Sequence, residues 1–284
     1  MATIQELLRQ AGSKLKTAGI QDAQLDARLL LSRILDRDLT WILTHYDFQL
    51  QDQDREKFLD WVQRRASRTP LAYITGRREF YGREFVVSSA VLIPRPETEL
   101  LVEKGIAIFQ AQETPRRESC RLADIGTGSG CIAVSLAAEI PSAFVLATDA
   151  SAAALRIARE NACAHGVLER IKFVETDLLP ETAAPLDAIF SNPPYVSQLD
   201  PRVAEDVREH EPALAVFAPD KGISFFKRIV PLAEGRLAGA GWLILEIGYG
   251  QQDAVQSLFG ARWGDLYVYP DLNGIPRCLV ARLR

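Results

Sequence analysis

The sequence predicts an α/β protein whose main body is a mostly parallel sheet with helices on both faces, preceded by a small helical bundle. Three observations predict it. From about residue 97 onward, strand-like and helix-like segments alternate, the pattern of βαβ units. Residues 1–70 show helical periodicity only. The last two strands are joined by Asn273-Gly274, a tight-turn pair, so the sheet closes on an antiparallel hairpin at one edge.

Taken in order, Ile4, Leu7, Leu8, Ala11 and Leu15 recur three and four apart and give a first helix one apolar stripe. Thr3 and Glu6 fit a capping box, in which each side chain satisfies an otherwise unpaired amide, and Gly19 supplies the stop. Leu25, Leu29 and Leu30 predict a second helix and Trp41 to Thr44 a short third. Asp52, Asp54 and Glu56 suit the positive end of a fourth, which turns Phe58, Leu59 and Val62 inward and ends before Pro70. The aromatic residues of this bundle are expected in its core. Residues 71–96 read as a linker. There, β-favouring residues flank Gly82-Arg83 as a hairpin with Gly82 first in the turn, and Pro94 and Pro96 stiffen the exit.

The third region, 97–284, begins with a helix over 99–110. Strands follow at 121–125, 144–148, 171–175, 187–191, 242–247, 266–269 and 277–282, seven in all. Helices are predicted between them at 131–140, 152–165, 223–237 and 253–259.

The chain has 284 residues, enough for one large domain or two modest ones. Thirty-three Lys and Arg against 37 Asp and Glu leave a net charge of −4, which argues against a dedicated nucleic-acid binder. The four cysteines form no CxxC pair, which excludes a zinc ribbon and points to a reducing compartment. No run approaches about eighteen apolar residues, and Glu6 falls where a signal peptide would need its apolar centre. A cytoplasmic protein without membrane association or metal is expected.

Ligands of open α/β sheets bind beyond the carboxyl ends of the strands, so the residues there are the site candidates. The first strand ends in Asp124-Ile125-Gly126-Thr127-Gly128-Ser129-Gly130, a glycine loop opening a helix. A dinucleotide fingerprint would need glycine where Cys131 stands, so the loop points to an adenosine ligand other than NAD. Asp149, ending the second strand 23 residues after Gly126, suits a ribose diol or the cap of the following helix. At the third strand end, Asp177 can accept from an adenine amino group while Leu178 covers the ring. The fourth ends in Asn192-Pro193-Pro194-Tyr195. Two prolines remove two amide donors, so the Asn192 oxygen and the Pro193 carbonyl can grip one –NH₂ group while Tyr195 offers a stacking face.

These motifs resemble the class I S-adenosylmethionine-dependent methyltransferases that act on planar –NH₂ nitrogens, and within them the peptide chain release factor glutamine methyltransferases. Tyr73-Ile-Thr-Gly76, Leu92-Ile-Pro-Arg-Pro-Glu-Thr-Glu99, Asp206-Val-Arg208, Glu211-Pro212 and Leu245-Glu-Ile-Gly248 extend the resemblance over nearly the whole chain. It implies a Rossmann-like seven-stranded sheet and S-adenosylmethionine as cofactor, leaving as S-adenosylhomocysteine. It also implies a monomer whose helical domain (1–70) helps hold a release factor and whose target is the glutamine of a Gly-Gly-Gln loop. By the same resemblance Gly126 to Gly130, Asp149, Leu178 and Asn192 line the cofactor pocket, and Asn192 to Tyr195 hold the target amide. Leu178 departs from the aromatic residue common there.

Asn192, Pro193 and Tyr195 are thus the expected catalytic residues, with Pro194 also on the substrate. The main alternative is an adenine amino-group methyltransferase acting on DNA or RNA, for which no base-flipping or target-recognition domain is evident. A non-catalytic scaffold is the other. His45, His165 and His210 are scattered and assigned structural or surface roles. Arg95, Glu97 and Glu99 either shape the site or pair at a helix start, Glu246 is a supporting candidate, and Arg64-Arg65 and Arg116-Arg117 read as solvated faces. The segment from Pro201 to Pro212 is a candidate for closing over substrate.

Overall fold

The computed structural model describes residues 2–110, 119–181 and 185–284. The chain forms two compact units, Met1–Arg77 with Glu205–His210, and Arg78–Ala204 with Glu211–Arg284. The Arg116-Arg117 pair lies outside the described residues.

The first unit holds α1 (Ile4–Thr17), α2 (Ala23–Leu35), α3 (Leu39–Thr44), α4 (Asp52–Ala66) and α5 (Leu71–Thr75). The capping box forms as expected: Glu6 N donates to Thr3 Oγ1 at 3.3 Å and Thr3 N to Glu6 Oε2 at 3.0 Å. The five stripe residues of α1 are buried against Leu30, Leu31, Ile42, Phe58 and Val62. Three expectations fail here. Leu59 is exposed, because α4 packs through Phe58 and Val62. Tyr46 and Phe48 are exposed too, and Phe48 packs at the surface on Trp41, which stacks on His45. Arg65 is no solvated residue: its Nε donates to Asp26 Oδ2 at 2.7 Å with both side chains largely covered, which ties α4 to α2. Helix α5 falls in the stretch read as linker.

A hairpin follows, β1 (Arg77–Phe80) and β2 (Arg83–Val86). Its two-residue turn is Tyr81-Gly82, both at positive φ (50° and 68°), rather than Gly82-Arg83. Two left-handed residues match the strand twist, and Gly82 fills the second place instead of the first.

After a 3-10 turn (Pro96–Thr98) come α6 (Glu99–Gln110), β3 (Cys120–Ile125), α7 (Cys131–Glu139), β4 (Ala143–Asp149) and α8 (Ala152–Ala164). The chain continues through β5 (Ile171–Glu175), β6 (Leu186–Ser191), α9 (Glu205–His210, in the first unit), α10 (Ala213–Val216) and α11 (Ser224–Arg236). It ends with β7 (Leu237–Glu246), α12 (Gln252–Gln256), β8 (Trp263–Pro270) and β9 (Pro276–Leu283). The sheet order is β5-β4-β3-β6-β7-β9-β8; β3 to β7 are parallel, and β9 runs antiparallel to both β7 and β8. The expected seven strands and edge hairpin are present. Strand β7 begins five residues early, because Gly239 and Gly241 sit in a bulge opposite Leu186 and Ala188. The short α9 and α10 have no counterpart among the expected helices.

Alternate side chains divide between the two faces of the sheet. Leu122, Val145, Ala188, Phe190 and Ile244 pack with α6 and α7, whereas Ala123, Ile189, Leu243, Leu245 and Leu279 pack with α11. The Phe190 ring lies so close to α6 that a Cβ on Gly105 would come within 2.6 Å of it. Strand order reverses between β3 and β6, which opens the crevice where ligands of such sheets bind.

Candidate functional site

A cavity of about 370 Å³ occupies that crevice, within the usual size of small-ligand sites. The strand ends that frame it are fastened together, for Ser191 Oγ donates to the Ile125 carbonyl at 2.8 Å. Gly126 and Gly128 sit at φ 72° and 54°, a region costly for other residues, and a Cβ on either would meet only open space. The loop therefore bares its backbone to the cavity. Gly126, Thr127, Gly128 and Ser129 line it, whereas Gly130 faces α8, where a Cβ would lie 3.1 Å from that of Ala158.

Asp124 holds this loop from below. Its Oδ2 accepts from the Thr127 hydroxyl at 2.6 Å and from Ala133 N at 3.2 Å, joining β3, the loop and α7. The other oxygen, Oδ1, is buried with no hydrogen bond. Burial accordingly pushes the carboxyl up to about 7. Asp149 accepts from Gly128 N at 2.9 Å through Oδ2 and from Ser151 N at 2.8 Å through Oδ1. The cap of α8 is Ser151, whose Oγ accepts from Ala154 N, so Asp149 orients the turn without capping the helix. Asp149 lines the cavity, and each of its oxygens, with one hydrogen bond made, keeps lone-pair capacity for a further donor.

At the end of β5, Asp177 and Leu178 also line the cavity. Asp177 is half-exposed and its Oδ2 is paired with the Arg228 guanidinium, leaving Oδ1 as its acceptor. Leu178 adopts φ 77°, a left-handed backbone that costs a non-glycine residue on the order of 1–3 kcal/mol and that recurs at ligand sites.

The end of β6 carries a buried polar chain. Asn192 Nδ2 lies 3.0 Å from Thr98 Oγ1, Thr98 Oγ1 lies 2.6 Å from Glu246 Oε2, and the Tyr195 hydroxyl lies 2.7 Å from Glu246 Oε1. With Glu246 ionised, both hydroxyls donate to it, so Thr98 can only accept from Asn192. That assigns the amide's –NH₂ end to Thr98 and turns Asn192 Oδ1 away as an acceptor. Asn192, Pro193 and Pro194 line the cavity; Tyr195 does not, and its ring packs into the α11 side of the core. Burial and the facing Glu246 hold the Tyr195 hydroxyl well above its ordinary range, so it stays protonated. The backbone behind it is clamped. Gln251 Nε2 donates to the Tyr195 carbonyl at 2.9 Å, and a Cβ on Gly222 would fall 1.9 Å from that same oxygen.

Of the residues preceding α6, Arg95 lines the cavity and its Nη2 donates to Glu211 Oε1 at 2.6 Å; Glu211 is buried and also accepts from Ile93 N. Glu99 accepts from Tyr81 N at 3.0 Å, a structural bond. None of the three histidines lines the cavity: His45 stacks on Trp41, His165 bonds the Glu84 carbonyl and His210 bonds the Asp206 carbonyl. Among the described residues no cluster of His, Cys, Asp or Glu could hold a metal, and no helix is long and apolar enough to cross a membrane. Sequence reasoning passed over Thr98, Gln251, Gly222 and Asp124 as site residues. Asp124 carried a signal as the residue opening the glycine motif, and Thr98 as a member of the Leu92–Glu99 segment.

The chain matches the PrmC N-terminal domain over residues 6–76 and the methyltransferase small domain over 101–211. Among solved structures, a methyltransferase from Pyrococcus furiosus aligns at a TM-score of 0.52 and 14% identity, over 82% of this chain and 98% of that one. The hMettl16 catalytic domain in complex with an RNA hairpin aligns at 0.52 and 19%, over 81% of each. Both share the class I methyltransferase fold. The bifunctional methyltransferase of Rickettsia felis is 36% identical over 98% of this chain, which spans only 58% of that protein. Release factor glutamine methyltransferases of Bradyrhizobium diazoefficiens and Koribacter versatilis are each 38% identical over 99% of this chain and 95% and 98% of theirs. Identity of that extent over nearly the whole of both chains establishes that the chain belongs to the release factor glutamine methyltransferase family.

Proposed function

We propose that this chain transfers a methyl group from S-adenosylmethionine to the side-chain amide nitrogen of the glutamine in the Gly-Gly-Gln loop of peptide chain release factors, in the cytoplasm. The observation that carries the proposal is Asn192, which lines the same cavity as the glycine loop and gives its Nδ2 to Thr98, leaving Oδ1 as an acceptor. The helical unit, Met1–Arg77 with Glu205–His210, is assigned to gripping the release factor.

The residues fit S-adenosylmethionine group by group. The bared backbone of Gly126 and Gly128 admits a ligand close to the chain, Asp149 suits the ribose diol, and Asp177 Oδ1 with Leu178 suits the adenine. The buried, half-satisfied Asp124 carboxyl lies beneath the loop that would receive this cation. When bound, the cofactor supplies an electrophilic sulfonium methyl.

The protein's work lies on the other reactant. A glutamine nitrogen is a poor nucleophile because its lone pair is delocalised into the carbonyl. Accepting both of its N–H bonds, at Asn192 Oδ1 and the Pro193 carbonyl, fixes the nitrogen and favours the pyramidal form whose lone pair points away from both acceptors. Fixing one orientation is the proximity contribution. The same two oxygens stabilise positive charge as it develops on nitrogen, the electrostatic counterpart of an oxyanion hole. Asn192 is no base, and none is needed, since the methylated cation sheds its extra proton readily. Tyr195 serves as a prop, its hydroxyl locked on Glu246.

The test offers labelled S-adenosylmethionine with purified release factor, its Gln→Ala loop variant and adenine-containing DNA. Label on the intact release factor alone is expected; label on the DNA alone would overturn the substrate assignment while leaving the fold and cofactor pocket in place.

A further inference from the structure

The cavity wall that receives the target amide is set by a chain of protons that begins on a residue remote from the reacting atoms. Thr98 is buried and has one hydroxyl hydrogen to share between Glu246 at 2.6 Å and Asn192 at 3.0 Å. Where that hydrogen points decides which end of the Asn192 amide faces the cavity. We propose that the charge on Glu246 sets the orientation of Asn192 through the Thr98 hydroxyl, the carboxylate presenting Oδ1 to the target –NH₂ and the carboxylic acid permitting the reversed amide.

Counting donors gives the reason. A carboxylate donates nothing, so the Thr98 and Tyr195 hydroxyls must both point at it, and Thr98 turns a lone pair towards Asn192. Once Glu246 is protonated it must donate to one of its two partners. If that partner is Thr98, the Thr98 hydrogen is released towards Asn192, which then turns its oxygen to Thr98 and its –NH₂ into the cavity. Two –NH₂ groups then face each other, and the grip on the target is lost. Glu246 and Thr98 are therefore positioning residues, acting through Asn192.

The charged and titratable groups around Glu246 come from several elements. Arg277 on β9 favours its ionised form and Glu97 of the 3-10 turn opposes it; Tyr195 donates to it, and the buried Cys131 and Cys278 thiols feel its charge. Burial outweighs the hydrogen bonds and holds the Glu246 carboxyl above the ordinary glutamate range. Activity is therefore lost as pH falls through the titration of Glu246.

The proposal rests on the functional reading above, so its test includes a measurement that needs neither substrate nor turnover. The Asn192 side-chain amide resonances, identified by their disappearance in Asn192→Ala, are followed by ¹⁵N NMR against pH in the wild type and in Glu246→Gln, Thr98→Val and Thr98→Ser, alongside the pH profile of kcat on release factor. In the wild type the resonances and kcat are expected to titrate together, with cofactor affinity constant. Thr98→Ser, which keeps the hydroxyl, is expected to keep the titration. Thr98→Val, isosteric but without the relay, and Glu246→Gln, which cannot ionise, are both expected to abolish it and to lower kcat by about tenfold or more, part of the 10²–10³ that complete loss of such a group costs. Resonances that titrate in Thr98→Val as in the wild type, or that do not titrate in the wild type, overturn the inference. Absence of transfer to release factor by a wild type whose resonances do titrate overturns the functional reading instead.

Discussion

Replacing Asp124 by asparagine removes a charge that the fold holds at a cost. One oxygen of Asp124 accepts two hydrogen bonds; the other is buried with none. An asparagine in the same rotamer keeps the accepting oxygen for Thr127 and Ala133 and puts its –NH₂ in the unpaired place. The folded-state carboxyl lies at about 7 against 3.8 ordinarily. Because the folded pKa is the higher one, the folded state binds more protons between those values, and stability contributed by this group is full below the lower value and lost as pH rises through the upper one. A difference of about three units at roughly 1.36 kcal/mol each sets a ceiling of about 4 kcal/mol on the loss. Asp124 is fully buried, so solvent screening takes little from that figure. Between pH 5 and 8 about two of those units are traversed. The Asp124→Asn variant should therefore gain about 2–3 kcal/mol on the wild type across this interval. The assay is urea unfolding of both proteins, free of ligand, at pH 5, 6, 7 and 8. A stability difference constant over that range would show that Asp124 does not titrate there, and the reasoning from burial and the unpaired oxygen would be refuted.

Two other perturbations follow from the same geometry. Asn192→Ala should leave cofactor affinity within a few-fold, measured calorimetrically, while lowering kcat by about 10²–10³; turnover near the wild-type level would remove the acceptor role from this residue. Gly222→Ala sets a methyl 1.9 Å from the Tyr195 carbonyl at φ 87°, so it should destabilise the protein by about 2 kcal/mol or more and lower kcat through Asn192. Unchanged thermal stability and kcat would mean that the clamp on Tyr195 is dispensable.

Much of the fold could be read in advance because local signals agreed with one another. Thr3 and Glu6 announce α1, and the strand ends at Ile125, Asp149, Glu175 and Ser191 all coincide with motif boundaries. Periodicity failed at Leu59, which sits on the outward face of α4, since a stripe gives a face without saying which neighbour covers it. The hairpin turn moved by one residue because Tyr81 accepts a left-handed backbone that its side chain does not advertise. In the site, residues adjacent in sequence to a motif were found and residues brought to it by the fold were not. Thr98 stands 94 positions from Asn192, and Gln251 stands 56 positions from Tyr195. Neither has a residue type that marks a role; only the proton chain and the backbone clamp reveal them.

The most direct test of the central claim is to incubate release factor with S-adenosylmethionine and either the wild type or Asn192→Ala, then locate any added methyl by fragmenting the peptide that spans the Gly-Gly-Gln loop. One methyl on the glutamine side-chain nitrogen is predicted with the wild type, and almost none with Asn192→Ala under conditions where that variant still binds cofactor. A methyl on any other residue, or equal modification by the variant, would contradict the claim.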